Sequence, residues 1–152
     1  MKPVLFLRIA SVLTLIHSAL HTVGGVFSKP APGMAAATVA FMKANEFDVV
    51  GVTRSYWDFY RGLGLAVTIF LTVEAVVFWQ LATLAKTDAL RLRPILFSFL
   101  VAYLAMAVNA YTYIFVGPVI AEMLIALCLG MAIVTAKSTA AMSAKQFAES
   151  RA

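Results

Sequence analysis

Apolar positions in this chain gather into four long runs, at about 3–27, 56–85, 94–116 and 118–137, broken by short polar segments and one longer connection. Each run is near or above the ~20 apolar residues that cross a ~30 Å bilayer core as a helix. In lipid the backbone must satisfy its own hydrogen bonds, which a helix does internally. The pattern therefore predicts an all-α fold, a transmembrane four-helix bundle, forming one four-span domain over residues 1–152. Residues 138–152 read as a polar tail.

The connection at 28–55 has its own punctuation. Lys29, Pro30, Ala31, Pro32 and Gly33 form a helix stop and turn. Residues 34–47 read as a short helix at the membrane interface, and 49–53, around Gly51, as extended. Ser55 and Asp58 have capping-box spacing and would start the second span. Tyr56, Trp57 and Tyr60 beside them fit an interfacial aromatic belt. Residues 86–93 make a short basic loop, Pro94 lies near the start of the third span, and Gly117 with Pro118 makes a tight reversal before the fourth. A cleaved signal peptide is the competing reading of the first run. Its apolar core exceeds the usual ~7–15 residues, and it carries His17 and His21.

Composition supports lipid as the solvent. Hydrophobic residues make up 62% of the chain and charged residues 12%, half the ~25% of a soluble domain. The net charge of +5 is no nucleic-acid signal, because the cations flank the apolar cores, where they set orientation. Lys2, Arg8, Lys86, Arg91, Arg93, Lys137, Lys145 and Arg151 share one side of a four-span chain; Lys29, Lys43, Arg54 and Arg61 share the other. Eight against four places both termini in the cytoplasm and the long loop outside. Cys128, the one cysteine, excludes an intrachain disulfide and reads as a buried, inert thiol.

Ionisable side chains at bilayer depth cost roughly 2.5–3.5 kcal/mol on insertion scales and raise a functional question. Here they are His17, His21, Glu74 and Glu122, with Asn109 and Gln80 adding uncharged polarity. His17 and His21, four apart, share one helix face with Thr14, Ser18, Thr22 and Gly25. That polar stripe is expected to face the bundle interior, opposite a third-helix stripe of Ser98, Ala102, Ala105, Asn109 and Thr112. At ~1.5 Å per residue, His21, Asn109 and Glu122 come out roughly 7–10 Å below the outer surface, His17 a turn deeper and Glu74 deeper again. The expectation is that His21, Asn109 and Glu122 converge from three helices.

Several chemistries suit such a site. His17, His21 and Glu122 supply N and O donors for a borderline cation. A His–Glu pair can relay protons or act as general acid and base. The same groups can hold the polar head of a quinone, sterol or lipid. Haem fits poorly, since two histidines one turn apart cannot take opposite faces of one ring. Against these stands a structural reading, in which the polar groups only hydrogen-bond across helices, at about 0.6 kcal/mol each. Glu74 sits on an otherwise apolar face with Leu63, Val67, Phe70, Leu71 and Phe78, which suggests a mispaired singleton or an intersubunit contact. Trp79 and the methionines read as packing or interface. Gly62 and Gly64 read as helix packing, since no nucleotide-binding strand precedes them.

The run His17-Ser18-Ala19-Leu20-His21-Thr22-Val23-Gly24-Gly25, followed by Tyr56-Trp57-Asp58-Phe59-Tyr60-Arg61-Gly62-Leu63-Gly64, resembles a family of small uncharacterised bacterial four-span inner-membrane proteins. The resemblance covers about the first half of the chain and implies a bacterial inner-membrane, multi-pass setting, with no activity or site residues attached. In outline alone, four spans with intramembrane His and Glu are similar to sterol-isomerase-type membrane proteins. The expected function is binding of a lipophilic small molecule or cation at His17, His21, Asn109 and Glu122, with membrane lipid as a partner and the cofactor and any catalysis left open. The alternative is a non-enzymatic accessory or assembly subunit, in a homo-oligomer or a membrane complex.

Overall fold

The computed structural model describes residues 2–136, and these are mostly helical. Four helical stretches are long and apolar enough to cross a membrane. The first is α1 (Lys2–Leu20), continued by a π-helical turn, His21–Val26. The others are α3 (Tyr56–Asp88), α4 (Arg93–Tyr113), entered through a 3-10 turn at Leu90–Leu92, and α5 (Val116–Thr135). The connection holds α2 (Met34–Ala44) and two strands, β1 (Glu46–Val49) and β2 (Val52–Ser55). The polar tail and the cations Lys137, Lys145 and Arg151 lie outside the described residues.

Three boundaries differ from expectation for local reasons. The end of the first span, expected as plain helix, is π-helical, with Phe27 N–H donating to the Thr22 carbonyl at 3.0 Å. The residues around Gly51, expected to be simply extended, form an antiparallel hairpin pairing Glu46 with Ser55 and Val49 with Val52. Its two-residue turn has positive φ at both Val50 (48°) and Gly51 (82°), the sign pattern of a type I′ turn. The reversal expected at Gly117–Pro118 occurs instead at Ile114 and Phe115, and α5 already starts at Val116. Pro118 sits in the first turn, where no intrahelical acceptor awaits its missing N–H. The Phe115 ring folds over Gly117, where a Cβ would come within 2.7 Å of it.

The described residues form two compact units, one of residues 2–17 with 73–136, the other Ser18–Thr72. In the first, Leu7, Ala10, Phe78, Ala82, Leu96, Tyr103, Ile125, Leu129 and Ala132 form a common core. Alanines at these positions let helices approach closely, which van der Waals packing in lipid rewards. Large apolar side chains point outward, among them Leu15, Ile16, Val76, Leu127 and Val134, as expected where the solvent is hydrocarbon. Arg8 stacks its guanidinium 3.4 Å from the centre of the Trp79 ring and donates to Thr83 Oγ1 at 3.1 Å. Arg93 closes α5 by donating to the carbonyls of Ile133 (3.1 Å) and Ala136 (3.0 Å), a cation at the negative end of a helix.

In the second unit the capping box forms as its spacing predicts. Asp58 N–H donates to Ser55 Oγ at 3.2 Å, and both Ser55 N–H and Oγ–H donate to Asp58 Oδ2 at 2.8 Å. Phe47 of β1 stacks near Tyr56 and Phe59 of α3, with ring centres 4.8 and 5.5 Å away, which fixes the hairpin to the helix.

Candidate functional site

Serine, threonine and histidine of the first span do face inward as their spacing predicts. Ser11, Thr14, His17 and Ser18 are buried. Their neighbours, however, are on α3 as well as α4.

In the second unit a ladder of hydroxyls joins the end of α1 to α3. Ser18 Oγ donates to the Thr68 carbonyl at 3.1 Å and lies 2.9 Å from Thr72 Oγ1; Thr22 Oγ1 lies 2.9 Å from Thr68 Oγ1. His21 belongs here. Its Nε2 lies 3.0 Å from the Gly64 carbonyl, so Nε2 carries the hydrogen that this carbonyl accepts. Gly64 is small for a reason visible in this contact, since a Cβ there would meet Val26 Cγ2 at 2.9 Å. The π-helical turn thus presents His21 and Val26 to the backbone of α3. Of the two glycines expected to pack helices, Gly64 does so, whereas Gly62 has nothing within 4 Å of a Cβ position. The acceptor for His21 is a main-chain carbonyl that spacing alone does not reveal.

In the first unit the polar groups form a short chain across three helices. Tyr103 of α4 donates its hydroxyl to Glu74 Oε2 at 2.7 Å and lies 3.3 Å from Thr14 Oγ1. Thr14, fully enclosed, also donates to the Ala10 carbonyl at 2.9 Å. Swinging the Thr14 hydrogen toward Tyr103 would orient the series Thr14, Tyr103, Glu74 as consecutive donors. Ser11 donates to the Ala75 carbonyl at 2.6 Å beside it. Glu74, expected as a mispaired singleton or an intersubunit contact, therefore has a partner on α4. His17 is buried one turn along α1 from Thr14.

Among the described residues Glu122 of α5 is the most enclosed acid, only 3% exposed. It sits with Ile125, Ala126 and Leu129 on the buried face of α5. Its Oε2 is shut in with no hydrogen-bond partner among the described residues. Glu74, by contrast, is reached by the Tyr103 hydroxyl at 2.7 Å.

Asn109 does not join them. The expected inward stripe of Ser98, Ala102, Ala105, Asn109 and Thr112 is exposed along its length, and α4 buries Leu96, Tyr103, Ala107 and Ala110 instead. The correction has a physical basis: the Tyr103 hydroxyl finds Glu74 inside, which fixes the face of α4 that turns inward, with Leu96, Ala107 and Ala110, and leaves the Asn109 amide outside. No three His, Cys, Asp or Glu side chains come together to hold a metal ion among the described residues, so the trio His17, His21 and Glu122 is not assembled as a metal centre. Tyr103 is the residue that sequence reasoning missed. Its signal was the polar tip of an aromatic placed well inside an apolar run, which must find a partner when buried.

Comparison with family models, curated proteins and solved structures finds no match to this chain.

Proposed function

We propose that this chain is a small multi-pass membrane protein that binds a lipophilic molecule through a polar head, received by the enclosed carboxyl of Glu122. One observation carries the reading: the enclosed Glu122 carboxyl oxygen without a donor among the described residues. Buried polar groups are almost always hydrogen-bonded, and the exceptions need a cause. A carboxyl held only for packing would be expected to have a protein donor, as Glu74 has in Tyr103. The apolar neighbours of Glu122 on the buried face of α5, Ile125, Ala126 and Leu129, suit a lipophilic body, and the unpartnered carboxyl oxygen suits a head that can donate a hydrogen bond. His17, on the Thr14 face of α1, borders the same unit's polar chain.

The setting proposed for this activity is a bacterial inner membrane. The eight-to-four division of cations supports an orientation with the termini and residues 86–93 in the cytoplasm and the hairpin outside. A second reading, as an accessory subunit of a membrane complex, is favoured by Asn109, whose amide lies on the exposed face of α4 and could be satisfied by a partner helix.

Infrared spectroscopy tests the main reading. The carboxyl band assigned by Glu122→Gln should shift when the protein is stripped of co-purifying lipophilic material and return when that extract is restored. A band indifferent to stripping and restoration would oppose ligand binding at Glu122.

A further inference from the structure

The outer side of the molecule, as orientation assigns it, holds four of the twelve cations, Lys29, Lys43, Arg54 and Arg61. Three of them converge. Lys29 after the first span, Lys43 of α2 and Arg61 of α3 line one groove of about 230 Å³ with Val26, Phe27, Ser28, Pro30, Val39 and Trp57. The lining contains no carboxylate. Asp58, the nearest acid in sequence, is held by Ser55 and faces another groove, which it shares with Arg54. Among the described residues the one ion pair is Arg91–Asp88, elsewhere in the chain. Arg61 lies over the Phe27 ring at 5.3 Å and Lys43 over Trp57 at 5.4 Å. These rings hold the cationic side chains without neutralising them.

We infer that this groove is a binding site for a phosphate group, supplied by the headgroup of an anionic phospholipid. Three like charges facing one cavity repel unless an anion lies between them, and the Ser28 hydroxyl offers a further donor. The surroundings argue for lipid as the source. None of the α2 residues is buried, and Met34 and Phe41 are 83% and 67% exposed, so α2 has an apolar surface suited to the bilayer interface. Tyr56, Trp57 and Tyr60 fit the aromatic belt at headgroup level. Each Lys or Arg near a membrane surface adds to the attraction for anionic lipid, and the same charge attraction acts on an anionic headgroup of the outer leaflet. This site is separate from the one proposed at Glu122 and stands or falls without it.

The test offers the full chain in mild detergent an equimolar mixture of phosphatidylglycerol and phosphatidylcholine with matched acyl chains, read by native mass spectrometry. The wild type should retain phosphatidylglycerol preferentially. Lys29→Gln/Lys43→Gln/Arg61→Gln should lower that preference about tenfold or more. The charge-keeping Lys29→Arg/Lys43→Arg/Arg61→Lys and the control Lys86→Gln/Arg91→Gln should keep it. Single Lys43→Gln and Lys29→Gln variants give the same reading should the triple variant misfold. Equal retention of both lipids by the wild type, or an undiminished preference in a folded triple variant, would overturn the inference. So would displacement of the lipid by inorganic phosphate at the lipid's own concentration, which would identify a free anion as the occupant.

Discussion

Replacing Glu122 by methionine should make the stripped protein more stable, and this reversal of the usual sign follows from the geometry. The side chain is 3% exposed and its Oε2 has no donor among the described residues. A buried polar atom without a partner costs about 1–3 kcal/mol. Methionine has similar length, no polar atom to desolvate, and enough flexibility to settle against Ile125 and Leu129, both fully buried. Glu122→Met should therefore gain about 1–3 kcal/mol. Glu122→Gln, which keeps a polar head in the same place, should gain much less. Reversible unfolding in mixed micelles, titrated with dodecyl sulfate and followed by circular dichroism, measures the difference. The material must be stripped first, because a ligand bound to the folded state stabilises the wild type by mass action. Were Glu122 a structural anchor with a hidden partner, its removal would cost roughly 3–5 kcal/mol, as for a broken buried pair. A Glu122→Met protein less stable than wild type by 1 kcal/mol or more would refute the reasoning.

Four further outcomes are expected. Ser55→Ala should cost about 0.5–2 kcal/mol by removing the acceptor of the Asp58 N–H, with Asp58→Asn milder, in thermal melts; unchanged stability would contradict the capping box. Val50→Asn should stabilise by about 1 kcal/mol, since a β-branched residue at φ 48° is strained and asparagine is not; a loss in the same melts would contradict the turn geometry. Gly64→Ala should cost about 1–3 kcal/mol through contact with Val26 and should weaken the His21 hydrogen bond, visible as a changed imidazole nitrogen chemical shift. A reporter active only in the cytoplasm should work within residues 86–93 and fail within the 46–55 hairpin; the opposite result would invert the orientation.

Much of the architecture was legible because its signals are local. Four apolar runs, a Pro–Gly stop after Phe27, and Ser55 three residues before Asp58 each specify their own neighbourhood. The π-helical turn was not legible, since it depends on how His21 and Val26 meet Gly64 of another helix. Which face of α4 turns inward was misread for a related reason. Small residues at Ser98, Ala102 and Ala105 suit close packing, but in lipid such a stripe is cheap to leave outside, whereas the Tyr103 hydroxyl needs Glu74. The buried state of Glu122 and the inward polar stripe of α1 followed from hydropathy. The pairing of Glu74 with Tyr103 joins residues 29 apart on different helices, and no spacing rule connects them.

The most direct test of the central claim is the stoichiometry of lipophilic material carried by the purified chain. Solvent extraction and mass spectrometry of gently purified wild type should yield one non-phospholipid species near one mole per mole of protein. Glu122→Met, folded and more stable, should lose it, while Asn109→Ala, altered on the exposed face of α4, should keep it. Equal yields from wild type and Glu122→Met would contradict a binding site at Glu122.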